Sequence, residues 1–161
     1  MLHTRVPLGR LIDWLDQAIG LNPRYAKAHY SRGFAQLMSA RVTDPADSLS
    51  ASIRLSPLDP LMGPMLSNLG TARLAAGKLA EAAELAARGA RRAPNHSILV
   101  MLAAATAMLV DDAAAAAHWR TVALERRPDA SVDLFRQAVR YGDPRLEDTV
   151  CRAMRQAGFP E

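Results

Sequence analysis

Between Met65 and Pro94 the apolar positions recur with the period of a helix and then stop at a proline. Leu66, Leu69 and Leu74, with the small Gly70 among them, fall at helical spacing up to Gly77. Glycine accepts positive φ without a Cβ penalty, so Gly77 reads as the C′ residue that ends a first helix. A second helix is predicted from Lys78. Its apolar stripe is made of small residues, Leu79, Ala82, Ala83, Ala86, Gly89 and Ala90, while Glu81, Glu84, Arg88, Arg91 and Arg92 fall mostly on the other face. Pro94 ends that helix, because proline has no N–H for the ladder and pushes Ala93 out of the α region.

The same punctuation recurs along the chain. Pro23, Pro57, Pro94 and Pro128 each close an apolar helical run, at spacings of 34, 37 and 34 residues. Five residues before them sit Ala18, Ser52, Gly89 and Ala123. Twenty-four residues before the last three sit Gly33, Gly70 and Ala104, and twelve before the last two sit Ala82 and Ala116. Small residues on facing helices permit a close crossing, which is the packing a helical hairpin needs. These columns resemble the tetratricopeptide repeat (TPR), whose period is about 34 residues. Departures are Pro45, which falls in the second small column, and His29 and Arg32, which replace the usual Trp and Leu early in one first helix. The resemblance implies an all-α fold: a right-handed α-solenoid of antiparallel helix pairs, with about seven or eight helices in a single domain over residues 1–161. Its expected division is 8–21 as the second helix of an incomplete repeat, repeats at 24–57, 61–94 and 95–128, and C-terminal helices with a cap at 129–158.

Along the rest of the chain, Leu8 to Leu21 reads as a helix with Leu11, Ile12, Leu15, Ala18 and Ile19 on its apolar face. No first helix precedes it as a mate. This end is therefore expected to fray, to self-associate through that helix, or to continue a larger protein. Tyr25 to Ala40 is the next predicted helix, and Asp44-Pro45 opens its partner with an N-cap and a proline at N1. Ser56 to Pro64 is an expanded linker in which Asp59-Pro60 repeats that start signal. Asn95 to Val110, Ala113 to Arg127, Asp129 to Tyr141 and Pro144 to Ala157 complete the predicted helices, with Asp111-Asp112 as turn and N-cap and Gly158 as the last C′ stop. The runs SIRLSPLDPLM, YGDPRLEDTV and RQAGFPE resemble the C-terminal TPR region of bacterial class III adenylate cyclases and of winged-helix transcriptional regulators that carry TPRs. Neither the cyclase nor the DNA-binding domain is present in this sequence, so the resemblance implies a regulatory or interaction role and lends no cyclase or DNA-binding activity.

Composition narrows the classes further. Half of the residues are apolar, which argues against disorder, and no run reaches the roughly 18 apolar residues of a membrane span. The net charge is +4 and comes mostly from arginine. Cys151 is the only cysteine, so no intrachain disulfide can form and a reducing cytoplasm is the expected compartment. The first ten residues lack the apolar core and cleavage site of a secretory signal.

Catalytic and metal chemistry find little support in the residues. His3, His29, His96 and His118 are scattered without a paired spacing and no Cys-x-x-Cys exists, so no metal site and no cofactor are expected. There is no glycine-rich phosphate loop and no G-x-S-x-G elbow. The carboxylate pairs Asp111 with Asp112 and Glu81 with Glu84 read as turn caps and a solvated face. Cys151 lacks any sequence signal of activation and reads as an inert thiol. The clusters Arg88, Arg91, Arg92 and Arg120, Arg126, Arg127 have no interleaved aromatics for base stacking, and acidic residues share their helices, which argues against a nucleic-acid ligand. No catalytic set emerges.

What the TPR resemblance implies instead is a concave groove lined by first helices. Carried over by column, its lining is Lys27, Tyr30, Phe34, Leu37 and Met38, then Ser67, Thr71, Leu74 and Ala75, then Ile98, Met101, Ala105, Met108 and Leu109. The residues expected to meet a partner are Tyr30, Phe34, Met38, Thr71, Leu74, Met101, Ala105 and Met108, a mostly apolar set in which methionines adapt to irregular ligands. The competing reading makes some of them core residues, or covers them with the last helices. A carboxylate clamp is not expected: Asn68 matches one clamp position, but Tyr30, Phe34, Ile98 and Leu102 replace the others. The expected function is a non-catalytic scaffold that binds a protein or peptide segment. The alternative is a detached regulatory TPR region of a cyclase or winged-helix regulator.

Overall fold

The computed structural model describes residues 7–39 and 44–161. Among the described residues the chain forms nine helices and no strand: α1 (Leu8–Leu21), α2 (Ala26–Leu37), α3 (Pro45–Leu55), α4 (Met62–Ala75), α5 (Leu79–Arg92), α6 (Ser97–Met108), α7 (Ala113–Arg126), α8 (Val132–Ala138) and α9 (Pro144–Gln156). The expectation of seven or eight helices is corrected to nine. Helices α2 and α3, α4 and α5, and α6 and α7 pack as pairs, each pair stacks on the next, and α1 lies against α2. The predicted end of α2 at Ala40 falls outside the described residues, as does His3.

The four prolines act as the sequence physics requires. Each follows a helix whose last residue stands two positions before it. The residues between, Asn22, Ser56, Ala93 and Arg127, share one backbone conformation, with φ of −140°, −140°, −136° and −142°. Each donates its N–H to the fourth residue back, and its carbonyl accepts from the residue after next beyond the proline: Tyr25, Asp59, His96 and Ala130. The pre-proline residue is driven to extended backbone, and the turn that follows re-aims the chain into the next first helix.

Helix starts and stops follow local chemistry as well. Asp44, Asp112 and Asp143 accept from the backbone N–H groups of Ala46, Ala115 and Arg145 at 2.8, 2.9 and 2.9 Å. Gly77 at φ 74° and Gly158 at φ 88° end α4 and α9. Asp111, 34 residues beyond Gly77, takes the same left-handed conformation at φ 59°. In all three places the next residue donates its N–H five residues back, Lys78 to Arg73, Asp112 to Ala107 and Phe159 to Met154, which closes the helix end. Asp59 starts α4 less directly than expected. Its carboxylate accepts from Leu61 at 2.8 Å and caps a turn, and the helix begins at Met62.

The small columns form a close crossing of α4 and α5. A Cβ at Gly89 would lie 2.8 Å from the Gly63 carbonyl and 3.0 Å from the Ser67 nitrogen, and one at Gly70 would meet the Ala82 carbonyl at 3.1 Å. Ala82, Ala86, Ala90, Ala104, Ala116 and Ala123 are buried, and Gly33 is tight against Leu49. The largest core extends from Leu74 through α6 into α8 and α9, where Phe135, Val150 and Met154 are fully buried.

The C-terminal region departs from the expectation of a helix over 129–141. Helix α8 has only seven residues. The backbone is extended at Val139 (φ −126°, ψ 116°) and at Asp143 (φ −96°, ψ 112°), with a bend at Gly142 between them. The Val-Arg-Tyr run favours that state, and Pro144 biases Asp143 toward it. Helix α9 then packs chiefly on α6.

Candidate functional site

Helices α2, α4 and α6 present one row of positions to a common face. Tyr30 and Phe34 stand one turn apart on α2, with ring centroids 6.4 Å apart. Phe34 is 44% exposed, a large exposure for a phenylalanine on a helix whose next residue, Ala35, is buried. The Tyr30 hydroxyl accepts from Asn68 Nδ2 of α4 at 3.2 Å, which ties the two first helices together. Burial pushes the Tyr30 phenol up; the Asn68 hydrogen bond opposes this, and the charge of Asp59 adds to it.

These side chains line a cavity of about 260 Å³. Tyr30, Phe34 and Met38 form its wall on α2, Pro64, Asn68 and Thr71 on α4, and His96, Ile98, Leu99 and Leu102 along the start of α6. Phe135, Ala138, Val139 and Tyr141 close the remaining side. The lining is predominantly apolar with a few polar groups, the usual make-up of a ligand pocket, and its size suits one or two side chains rather than a helix.

The expected lining residues divide by their place along the array. Tyr30, Phe34 and Met38 line the cavity and keep solvent access. Thr71 is also at the cavity but is buried, its hydroxyl donating to the Ser67 carbonyl at 3.1 Å. Leu74, Met101 and Ala105 are interior, because α8, α9 and the segment between them pack over α6, and Met108 is half-buried at the edge of that core. Along the array the expected lining is thus open in the first repeat, in contact with the C-terminal segment in the second and buried in the third.

Tyr141 is the residue that sequence reasoning missed. Its ring lies 6.4 Å from that of Phe135, and it lines the cavity together with Thr71. Burial, opposed by the nearby Thr71 hydroxyl, pushes its phenol up to about 12. Gly142 donates its N–H to the Leu37 carbonyl at the end of α2, at 3.0 Å. The signal in the sequence was the Val139-Arg140-Tyr141 alternation ahead of Gly-Asp-Pro, a pattern of extended chain rather than helix.

Elsewhere the polar groups are engaged in structure. Cys151 is buried and free, and burial raises its thiol, with Arg136 acting in the opposite sense. A ring nitrogen of His29 lies 2.8 Å from the Pro23 carbonyl, and His118 meets Trp119 edge-on at 4.9 Å. Among the described residues no group of three or more His, Cys, Asp or Glu side chains is placed to hold a metal ion. No helix among them is long and apolar enough to cross a membrane. Of the two arginine clusters, Arg88, Arg91 and Arg92 lie on α5, and Arg120 and Arg126 lie on α7 with Arg127 just past its end. Arg88 pairs with Glu84 at 3.7 Å, while Arg126 donates to Asn95 at 2.5 Å.

No protein-family model matches the chain, and no curated protein does. Solved structures do. MamA is similar over 91% of this chain and 84% of its own, with a TM-score of 0.67 at 12% identity. YrrB, described as a TPR protein with an unusual peptide-binding site, is similar over 93% of this chain and 76% of its own, with a TM-score of 0.67 at 15% identity. Likeness at such low identity speaks for the fold, and with the four repeated proline turns it makes this chain an all-α array of TPR-like helix pairs.

Proposed function

We propose that this chain is a non-catalytic interaction module that captures a peptide segment of a partner protein through an apolar side chain seated among Tyr30, Phe34 and Met38. The observation that carries the reading is the cavity of about 260 Å³ on the first-helix face, with Phe34 44% exposed at its mouth. An aromatic held open over an apolar cavity is the kind of place where a buried anchor residue concentrates binding energy. The likeness to YrrB supports a peptide as the class of ligand. Compared with the lining expected from the repeat columns, the proposed contact set is reduced to Tyr30, Phe34 and Met38 with Ile98 and Leu99 opposite, and Thr71 at its edge.

A peptide array of short sequences with single aromatic or aliphatic anchors tests this directly. The chain should retain a subset of spots, and Phe34→Glu should lose them while its far-ultraviolet dichroism stays that of the parent. Retention unchanged in Phe34→Glu, or no retained spot from the folded parent, would sink the proposal.

A second reading makes the same array the regulatory TPR region of a cyclase or winged-helix regulator in the cytoplasm. What favours it is the outer side of α1, where Trp14 is 50% and Leu21 90% exposed and a further helix or a second copy of the chain would pack. Reading the DNA upstream of Met1 tests it: an in-frame cyclase or winged-helix domain favours it, and a ribosome-binding site directly before Met1 removes it.

A further inference from the structure

We infer that the ligand of the first-helix groove is an extended peptide bearing an aromatic side chain, and that residues 139–143 of this chain compete with it for the same place. This rests on the groove reading above and adds to it the form of the ligand and an intramolecular rival.

The segment lies on the helix face in the way an extended peptide would. Its backbone is extended at both ends, and its side chains alternate: Val139 half-buried, Arg140 exposed, Tyr141 half-buried and turned in to line the cavity beside Thr71 and Phe135. Its one backbone bond to the first helices runs from the Gly142 N–H to the Leu37 carbonyl at 3.0 Å. Leu37 is the last residue of α2, so that carbonyl has no partner within its own helix and is available to any extended chain laid across it. Main-chain bonding plus one side-chain pocket is the general manner in which grooves hold extended segments. The unfilled cavity continues from Tyr141 to Phe34, so a peptide longer than the segment would gain contacts that the segment does not make.

The segment is also placed to leave. Phe135 on one side and Leu146 on the other are buried, so both ends stay anchored while residues 139–143 lift as a loop, giving up only the contacts that the half-buried Val139 and Tyr141 make with the core. A tethered rival of this kind acts at an effective concentration of order mM, so a free peptide of the same sequence competes poorly until the tethered copy is weakened.

The probe is a fluorescein-labelled peptide of residues 137–143, Gln-Ala-Val-Arg-Tyr-Gly-Asp, titrated by anisotropy against the full chain and against Tyr141→Ala. The variant should bind at least about 10-fold more tightly than the parent, as expected when a tethered competitor is removed. A probe with its tyrosine changed to alanine should lose binding, and Phe34→Glu in the Tyr141→Ala chain should weaken it. Equal affinity for parent and variant, or no binding to a variant with parental dichroism, overturns the inference. Hydrogen exchange on the unaltered chain needs no variant to fold. Excess unlabelled peptide should speed exchange at the Gly142 amide and leave α9 unchanged, and an unmoved Gly142 amide at saturating peptide overturns the inference. Failure here together with Phe34-dependent array binding leaves the groove reading standing. Failure of both removes both.

Discussion

Replacing glycine by alanine inside a helix ordinarily stabilises it, by about 0.8–1.0 kcal/mol on propensity alone. Gly20 and Gly89 are both helical, in α1 and α5, so propensity predicts the same gain at each. Packing predicts opposite signs. A Cβ at Gly20 meets nothing within 4 Å, whereas one at Gly89 would fall 2.1 Å from the Ser67 Oγ, 2.8 Å from the Gly63 carbonyl and 3.0 Å from the Ser67 nitrogen. The hydroxyl can swing away. The two backbone atoms cannot, so α4 and α5 must separate, and overpacking of this kind costs roughly 1–3 kcal/mol or more. Gly89→Ala is therefore expected to destabilise by about 1–2 kcal/mol net, and Gly20→Ala to stabilise by about 0.5–1 kcal/mol. At about 2–4 °C per kcal/mol for a chain of this size, thermal midpoints should move in opposite directions by a few degrees each. Urea unfolding with an unchanged m-value would show that stability rather than mechanism had changed. Ser67→Ala deletes a buried hydroxyl that has no hydrogen-bond partner, and it should be close to neutral. In that background Gly89→Ala should recover only the part of its cost due to the hydroxyl. If Gly89→Ala proves as stable as Gly20→Ala, the close-crossing explanation of the small columns is wrong.

Three further outcomes are expected. Gly77→Ala at φ 74° and Asp111→Val at φ 59° should each lose about 1–2 kcal/mol by urea denaturation, and no loss at either site would refute the left-handed helix ends. Tyr141 is held neutral in the folded chain, its phenol raised from 10.0 to about 12, so its contribution to stability is fully present below pH 10 and lost as the pH rises through 12. Tyr141→Phe should remove the tyrosinate absorbance that develops near pH 12 and flatten the fall in thermal midpoint between pH 10 and 12, and an unaltered alkaline titration would contradict the burial of that hydroxyl. Cys151 is buried with its thiol raised, so alkylation by iodoacetamide at neutral pH should be slow in the native chain and fast in denaturant, and rapid native labelling would refute its placement.

The helical repeats were legible in the sequence because the signals that define them are local. A proline disfavours α backbone at the residue before it through contacts confined to that dipeptide, and Asn22, Ser56, Ala93 and Arg127, each following a completed helix, adopt one conformation in four different surroundings. Aspartate caps and left-handed C′ residues depend on a few neighbouring atoms, and Asp111 keeps the role that Gly77 has one repeat earlier. Small columns at Gly70, Ala82 and Gly89 announced a close crossing because only one pairing of helices brings them together. The accessibility of the groove was a different matter. Phe34, Thr71 and Ala105 stand one repeat apart, at steps of 37 and 34 residues, yet the first is 44% exposed while the other two are buried. That gradient is imposed by α9 packing on α6 and by Gly142 donating to Leu37, a bond between opposite ends of the chain. Periodicity specifies which face a residue takes within its own helix. What later covers that face is decided by the non-local burial of Phe135 and Met154 and the packing of Tyr141 against them, and only the tertiary structure sets it.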